Sequence, residues 1–181
     1  MRPGSKTLAA LWGFAEATLF FIVPDVLLSS VALSSLKKAL WACLSAALAA
    51  TLGGLLVWIC ANQYPQETKD VLLKIPGIST TTYATVRELL QNGLFIGMLE
   101  GAFSGVPYKI FAAEAGSANV SPLAFAVLSP AARLPRFVAI VLVAFALSRL
   151  IGTRLSKSAK LAISLALWAL FYIFYFQAVG W

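Results

Sequence analysis

The stretch that decides the fold is 8–33, LAALWGFAEATLFFIVPDVLLSSVAL. It is apolar and, at about 1.5 Å per residue, long enough for the ~30 Å hydrocarbon core of a bilayer. Glu16, Pro24 and Asp25 argue against a simple span. A carboxylate at the bilayer centre costs at least ~2.5–3.5 kcal/mol, and an interior proline interrupts the helix ladder. If the chain folds back at Val23-Pro24-Asp25, arms of 15 and nine residues reach only ~23 and ~14 Å. Neither arm crosses alone. The region is predicted to be a re-entrant hairpin, which is allowed only where protein or a water cavity surrounds its tip.

A second stretch echoes the first. Gly13-Phe-Ala-Glu16-Ala-Thr matches Gly97-Met-Leu-Glu100-Gly-Ala at an offset of 84 residues, and Val23-Pro24 matches Val106-Pro107 at 83. Each match precedes a second apolar stretch, a short polar joint and a long apolar run. Hairpin plus span, twice, is the pattern of an internally duplicated membrane protein. The expected units within one membrane domain, 1–181, are a first repeat at 8–61 with its span at 39–61, and a polar loop at 62–92. A second repeat follows at 93–148, with its hairpin at 93–116 and its span at 122–148, and then a final span at 161–179. The span 39–61 has 23 residues and no charge. In the polar loop, 79–90 is predicted to form a short interfacial helix, with Tyr83, Val86, Leu89 and Leu90 near one face. The fold class expected is an all-α polytopic membrane protein: an inverted repeat of re-entrant hairpin plus transmembrane helix, with one extra C-terminal helix.

Composition agrees. Of 181 residues 60% are apolar and 12% charged, where soluble domains carry about 25% charged residues. Mean hydropathy is +0.86. There is no histidine, which removes Ser-His triads, His-ligated zinc and imidazole acid–base chemistry. Cys43 and Cys60 would lie about 25 Å apart on one helix, too far for a disulfide. No Walker A run, G-x-G-x-x-G or metal-spaced acidic cluster occurs, so no cofactor or metal is expected. Gly53-Gly54 is expected to permit close helix packing. The basic start and the apolar run resemble a secretory signal, but Glu16 and Asp25 interrupt the run and no small-x-small cleavage site stands out after it.

The net charge is +7. The basic residues are split among short loops with no basic arm, so nucleic acid is not expected as a partner and membrane lipids are. With hairpins that return to their own side, Arg2, Lys6, Lys37, Lys38, Arg149, Arg154, Lys157 and Lys160 share one side with no acid. Lys69, Lys74 and Arg87 face Glu67, Asp70 and Glu88 on the other. The positive-inside rule then puts the N-terminus in the cytoplasm. Trp168, Tyr172, Tyr175 and Trp181 read as interface anchors.

Seven ionisable groups fall within apolar regions: Glu16, Asp25, Glu100, Glu114, Lys109, Arg133 and Arg136. Four acids against three bases would leave −1, so at least one carboxyl is expected to hold a proton. Glu16, Asp25, Glu100 and Glu114 are the candidates for proton coupling. Arg133 and Arg136, three apart, share a helix face and would make a phosphate clamp, because each guanidinium presents a planar fork of donors. Pro130 and Pro135 are expected to loosen the backbone there. Lys109 adds a point charge to the binding set. Pro24 and Pro107 suit the first turn of a second half-helix at each hairpin tip, whose free N–H groups would face a bound anion. The competing reading of these charges is a structural network that locks a compact fold.

Three features in order resemble a known family. They are Glu16 through Pro24-Asp25, then Gly105-Val-Pro107-Tyr108-Lys109-Ile-Phe111 with Ala115-Gly116 after it, then Arg133-x-x-Arg136. Together they resemble the DedA superfamily (SNARE-associated Golgi or VTT domain), in particular its small YqaA-like branch, over about residues 10–150. Ala132 stands where that arginine motif usually has glycine. The resemblance implies a transporter with two opposed re-entrant hairpins. Its members are implicated in moving phospholipids or polyprenyl phosphates between leaflets, and bacterial members in envelope homeostasis that depends on the proton-motive force. The family's acidic residues map onto Glu16 and Asp25, and its arginines onto Arg133 and Arg136. The expected function is a lipid flippase or scramblase, proton-coupled. A proton- or sodium-coupled solute carrier and a non-transporting scaffold stay open, as does association of like chains. An enzyme is not expected.

Overall fold

A computed structural model describes residues 4–152 and 154–179. Arg2 of the topology set and Trp181 of the aromatic set lie outside the described residues. Those described form nine α-helices: α1 (Ser5–Thr18), α2 (Asp25–Ala32), α3 (Leu36–Gln63), α4 (Pro65–Leu72), α5 (Thr80–Leu90), α6 (Leu94–Ser104), α7 (Tyr108–Ser117), α8 (Pro122–Ile151) and α9 (Lys157–Val179). Three are long and apolar enough to cross a membrane, α3, α8 and α9. The chain is an all-helical membrane protein.

Both apolar regions that carry carboxylates are broken helices. Fourteen residues of α1 and eight of α2 give lengths of only ~21 and ~12 Å; eleven of α6 and ten of α7 give ~17 and ~15 Å. The prolines sit at the breaks, one residue before the position expected of them: Pro24 caps α2 and Pro107 caps α7. Gly105 ends α6 with φ +81°, a left-handed conformation that a side chain would strain.

α3 is the spine, and small residues make it one. Ala42, Ala46, Ala50 and Gly53 are buried along one face. Ala9, Gly13 and Ala17 of α1 are buried too. A Cβ at Gly13 would overlap the Ala46 backbone, and one at Gly53 would meet Phe14 O and Ala17. The near-constant offset between these partners means that α1 runs parallel to α3, with its end beside Gly53, well short of the end of α3. Gly54 takes the ring of Tyr108 at the start of α7, and Gly116 takes the Trp58 backbone. The expected packing role of Gly53-Gly54 is met at both residues.

α8 runs antiparallel to α3. Asn119, just before α8, accepts from Asn62 near the end of α3, while Ser148 near the end of α8 donates to Leu33 O just before α3. α8 is continuous through Pro130 and Pro135. Each proline leaves one carbonyl, of Ala126 and Ala131, without its helical N–H, yet the surrounding packing keeps the helix intact. α9 then runs back along α2. Trp168 donates to Ser29 Oγ at 2.9 Å, and the Tyr172 hydroxyl accepts from Val23 N at 2.8 Å.

Trp168 and Tyr172 dock α9 onto the first broken helix, and Tyr175 packs over Gly77, protein contacts that the aromatic composition of α9 does not announce. The 79–90 helix forms, capped by a reciprocal Ser79–Thr82 box. Its apolar face packs on protein, with Tyr83 and Val86 buried in the main core, and its opposite face is exposed. The helix α4 was not foreseen; Pro65 at its first turn marks it in the sequence.

Candidate functional site

The two breaks touch. The Lys109 ammonium, in the first turn of α7, donates to Phe20 O in the first break at 2.7 Å. Two more backbone groups of that break are held by side chains: Trp12 Nε1 donates to Ile22 O at 2.9 Å, and Val23 N donates to Tyr172. Irregular backbone costs several kcal/mol per orphan group away from water. Here long side chains satisfy it.

Both arginines meet this junction from mid-α8, the twelfth and fifteenth of its 30 residues. Arg133 Nη2 donates to Glu16 Oε2 at 2.5 Å. Its guanidinium carbon lies 4.1 Å from the Tyr108 ring centroid and 5.2 Å from that of Phe137. The Tyr108 hydroxyl shares a hydrogen bond with Ser129. Arg136 Nη2 donates to Asp25 Oδ2 at 2.6 Å and Nη1 to Ala102 O at 2.7 Å. Asp25 is the first residue of α2, where a carboxylate complements the positive helix end. Five helices, α1, α2, α6, α7 and α8, thus converge on two ion pairs and one lysine.

Burial is deep. Relative exposures are 5% for Glu16, 0% for Asp25, 2% for Lys109 and 7% for Arg133. Charges so enclosed persist only when paired. Asp25 Oδ1 and Arg133 Nε are buried without a hydrogen-bond partner among the described residues, so the network is not saturated. Beside it lies a cavity of about 80 Å³, lined by Glu16, Lys109, Arg136, Val23, Ile75 and Tyr172 among others. That is room for several waters or one phosphate-sized group. Ile75, Pro76 and Ile78, from the turn between α4 and α5, close one side of it.

A groove of about 740 Å³ opens from the same place between α8 and α9. Arg136, Gly105, Phe171 and Tyr175 line both spaces. Val143, Leu147 and Leu167 continue the groove as an apolar trough.

Of the seven charged candidates, the fold brings five together and removes two. Glu100 is exposed and is held by Asn92 Nδ2 at 3.3 Å. Although it matches Glu16 in the repeat, it faces away from α8. Glu114 sits further along α7 and takes a two-pronged bond from Arg87 of α5, at 2.8 and 3.1 Å. That bond holds the Arg87 guanidinium above its ordinary value. Nearby, burial first and the Glu114 charge second push the Tyr83 phenol up to about 12. Neither Glu100 nor Glu114 belongs to the buried set. The set of five therefore carries two acids and three bases, an excess of +1 when all are ionised, where the sequence count gave −1.

The arginines also differ from the expected open clamp. Each is engaged by a carboxylate, and Arg133 is further sandwiched by two rings. Sequence reasoning missed Tyr108, Ser129 and Tyr172 as supports of the site. The Tyr108 spacing from Lys109 was visible, but nothing local marks which helix a tyrosine will face. Among the described residues, no three His, Cys, Asp or Glu side chains group as metal ligands.

No family model matches the sequence, and no solved structure does. A chain from Haemophilus influenzae (strain ATCC 51907 / DSM 11121 / KW20 / Rd), described as an uncharacterized protein, is 27% identical over 165 residues. The alignment covers 89% of this chain and 85% of that one, so the likeness runs through nearly the whole length of both.

Proposed function

We propose that this protein carries a phosphate-bearing lipid between membrane leaflets. In this reading α1–α2 and α6–α7 are re-entrant hairpins that enter from opposite faces as an inverted repeat, and their tips meet at the midplane. The chain then belongs with the DedA superfamily, sits in a bacterial inner membrane and has its N-terminus in the cytoplasm. The headgroup binds at Lys109 and Arg136 in the cavity. The lipid tail lies in the α8–α9 trough.

The observation that carries the reading is the meeting of two spaces at Arg136. A small cavity lined by Glu16, Lys109 and Arg136 shares Gly105, Arg136, Phe171 and Tyr175 with an apolar groove beside it. An amphiphilic anion matches that shape. A small solute has no use for the groove, and a purely structural network has no use for the cavity.

Release of the headgroup to either face requires the arginines to return to Glu16 and Asp25. The acids thus act as internal substitutes for the phosphate, and exchange between the two partners sets the two states. The test is leaflet exchange of fluorescent phosphatidylglycerol in phosphatidylcholine vesicles. Wild type is expected to speed exchange, and the double variant Arg133→Ala, Arg136→Ala to lose it. Equal rates for the two would remove the headgroup site.

A further inference from the structure

Two carboxylates and three basic side chains meet at the junction, and each arginine takes one carboxylate. Lys109 is left over. Among the described residues no carboxylate lies within ion-pair distance of it, and its Nζ rests on a neutral carbonyl, that of Phe20. It is nonetheless almost wholly buried and lines the cavity.

The charged and titratable groups around it are Glu16 from α1, Arg133 and Arg136 from α8, Tyr172 and Tyr175 from α9 and Tyr108 beside it on α7, with Asp25 of α2 behind Arg136. The segment 75–78 contributes no charge. The Arg87–Glu114 pair on α5 and α7 lies at the far end of α7 and is closed on itself. Lys109 is also the second residue of α7, where the positive helix end disfavours a cation. A guanidinium keeps its proton in a protein, whereas a buried ammonium can release one.

We propose that Lys109 is the proton carrier of this site, taking up one proton with each phosphate group that binds. The inference rests on the lipid-carrier reading and names its coupling ion and the group that bears it. In the empty site the Lys109 amine is neutral, and two acids balance two arginines. On binding, the amine gains one H⁺ from water at the open face and becomes an ammonium, while the phosphodiester brings one negative charge. No bond other than N–H forms or breaks. Both states of the buried cluster are electrically neutral, which is what a low-dielectric site demands. Proton and anion leave together on the other side, so the coupled step moves no net charge.

The test compares wild type, Lys109→Arg and Lys109→Met in phosphatidylcholine vesicles carrying fluorescent phosphatidylglycerol, with and without a pH gradient. Wild type is expected to accumulate the label in the leaflet facing the alkaline side. Lys109→Arg, with a permanent charge, is expected to exchange label at equal rates in both directions whatever the gradient. Lys109→Arg following the gradient as wild type does would overturn the proposal.

If wild type moves no lipid, the carrier reading fails, and a second measurement decides the role of Lys109. Thermal stability is followed from neutral to mildly alkaline pH. A neutral buried amine that charges on unfolding makes wild-type stability rise with pH relative to Lys109→Met. Identical pH profiles for wild type, Lys109→Met and Lys109→Arg would contradict a titrating Lys109.

Discussion

Glu16 and Arg133 are joined at 2.5 Å across 117 positions of sequence, and the aromatic rings of Tyr108 and Phe137 flank the guanidinium. This pair ties the end of α1 to the middle of α8. Removing one partner strands a buried charge, which costs about 3–5 kcal/mol. Glu16→Gln and Arg133→Met are each expected to lower stability by about that much, because each strands its partner. The double variant is expected to lose less than the sum, because no charge is left alone. Thermal unfolding in detergent measures this; strict additivity would mean that the two side chains act independently.

Asp25–Arg136 and Arg87–Glu114 are both ion pairs, but only the first borders the cavity. Arg136→Ala is expected to abolish lipid exchange. Glu114→Gln and Glu100→Gln are expected to leave exchange within about two-fold of wild type, since exposed pairs contribute only ~0–1 kcal/mol and Arg87 is 60% exposed. Leaflet exchange on the three variants checks the division. A dead Glu100→Gln with normal stability would return that residue to the site.

Gly13 and Gly97, equivalent in the repeat, each allow a close backbone approach, Gly13 to α3 and Gly97 to α5. A Cβ on Gly13 would overlap Ala46, and one on Gly97 would overlap Leu89, in each case at the backbone. Neither neighbour can yield by turning a side chain. Gly13→Val and Gly97→Val are each expected to cost about 1–3 kcal/mol or more from overpacking. Gly4→Ala, with open space around it, is the control and is expected to change nothing measurable. Unfolding temperatures of the three variants provide the check.

Tyr83 gives the outer helices a pH dependence. Its buried phenol ionises only at about 12, against an ordinary value of 10.0. The unfolded chain therefore loses this proton first as pH rises. Stability from this residue is complete below the ordinary value and is lost progressively from there up to about 12. Tyr83→Phe is expected to flatten that loss. At neutral pH it is expected to cost little, because the hydroxyl has no hydrogen-bond partner among the described residues. Unfolding of wild type and variant across alkaline pH decides; parallel curves would place Tyr83 in water.

The broken helices were legible because proline and a mid-span carboxylate carry strong local costs. Pro24, Pro107 and Glu16 announced a break before any packing was known. The shared face of Arg133 and Arg136 follows from helical spacing alone. What spacing does not carry is which acid each arginine meets. Glu16 and Glu100 match within the repeat, yet α8 packs so that only Glu16 faces its arginines. Glu114 sits in an apolar run like the others, but α5 supplies Arg87 to it from a loop that sequence reasoning had placed in lipid contact. Trp168 and Tyr172 have the composition of interface anchors. Their role as struts for the first break depends on the docking of α9, a long-range event that no local pattern reports. The sign of the cluster's excess charge changed for the same reason: two of the four acids never join it.

The most direct test is cysteine accessibility from each face of sealed, oriented inner-membrane vesicles, on a background with Cys43 and Cys60 replaced. Thr7→Cys and Lys37→Cys lie on exposed positions in the first turns of α1 and α3, and Lys69→Cys on a half-buried one within α4. With α1–α2 as a hairpin, Thr7→Cys and Lys37→Cys label from the same face and Lys69→Cys from the opposite one. Labelling of Thr7→Cys and Lys37→Cys from opposite faces would contradict the hairpin, and with it the shelter it gives Glu16, Asp25 and Lys109.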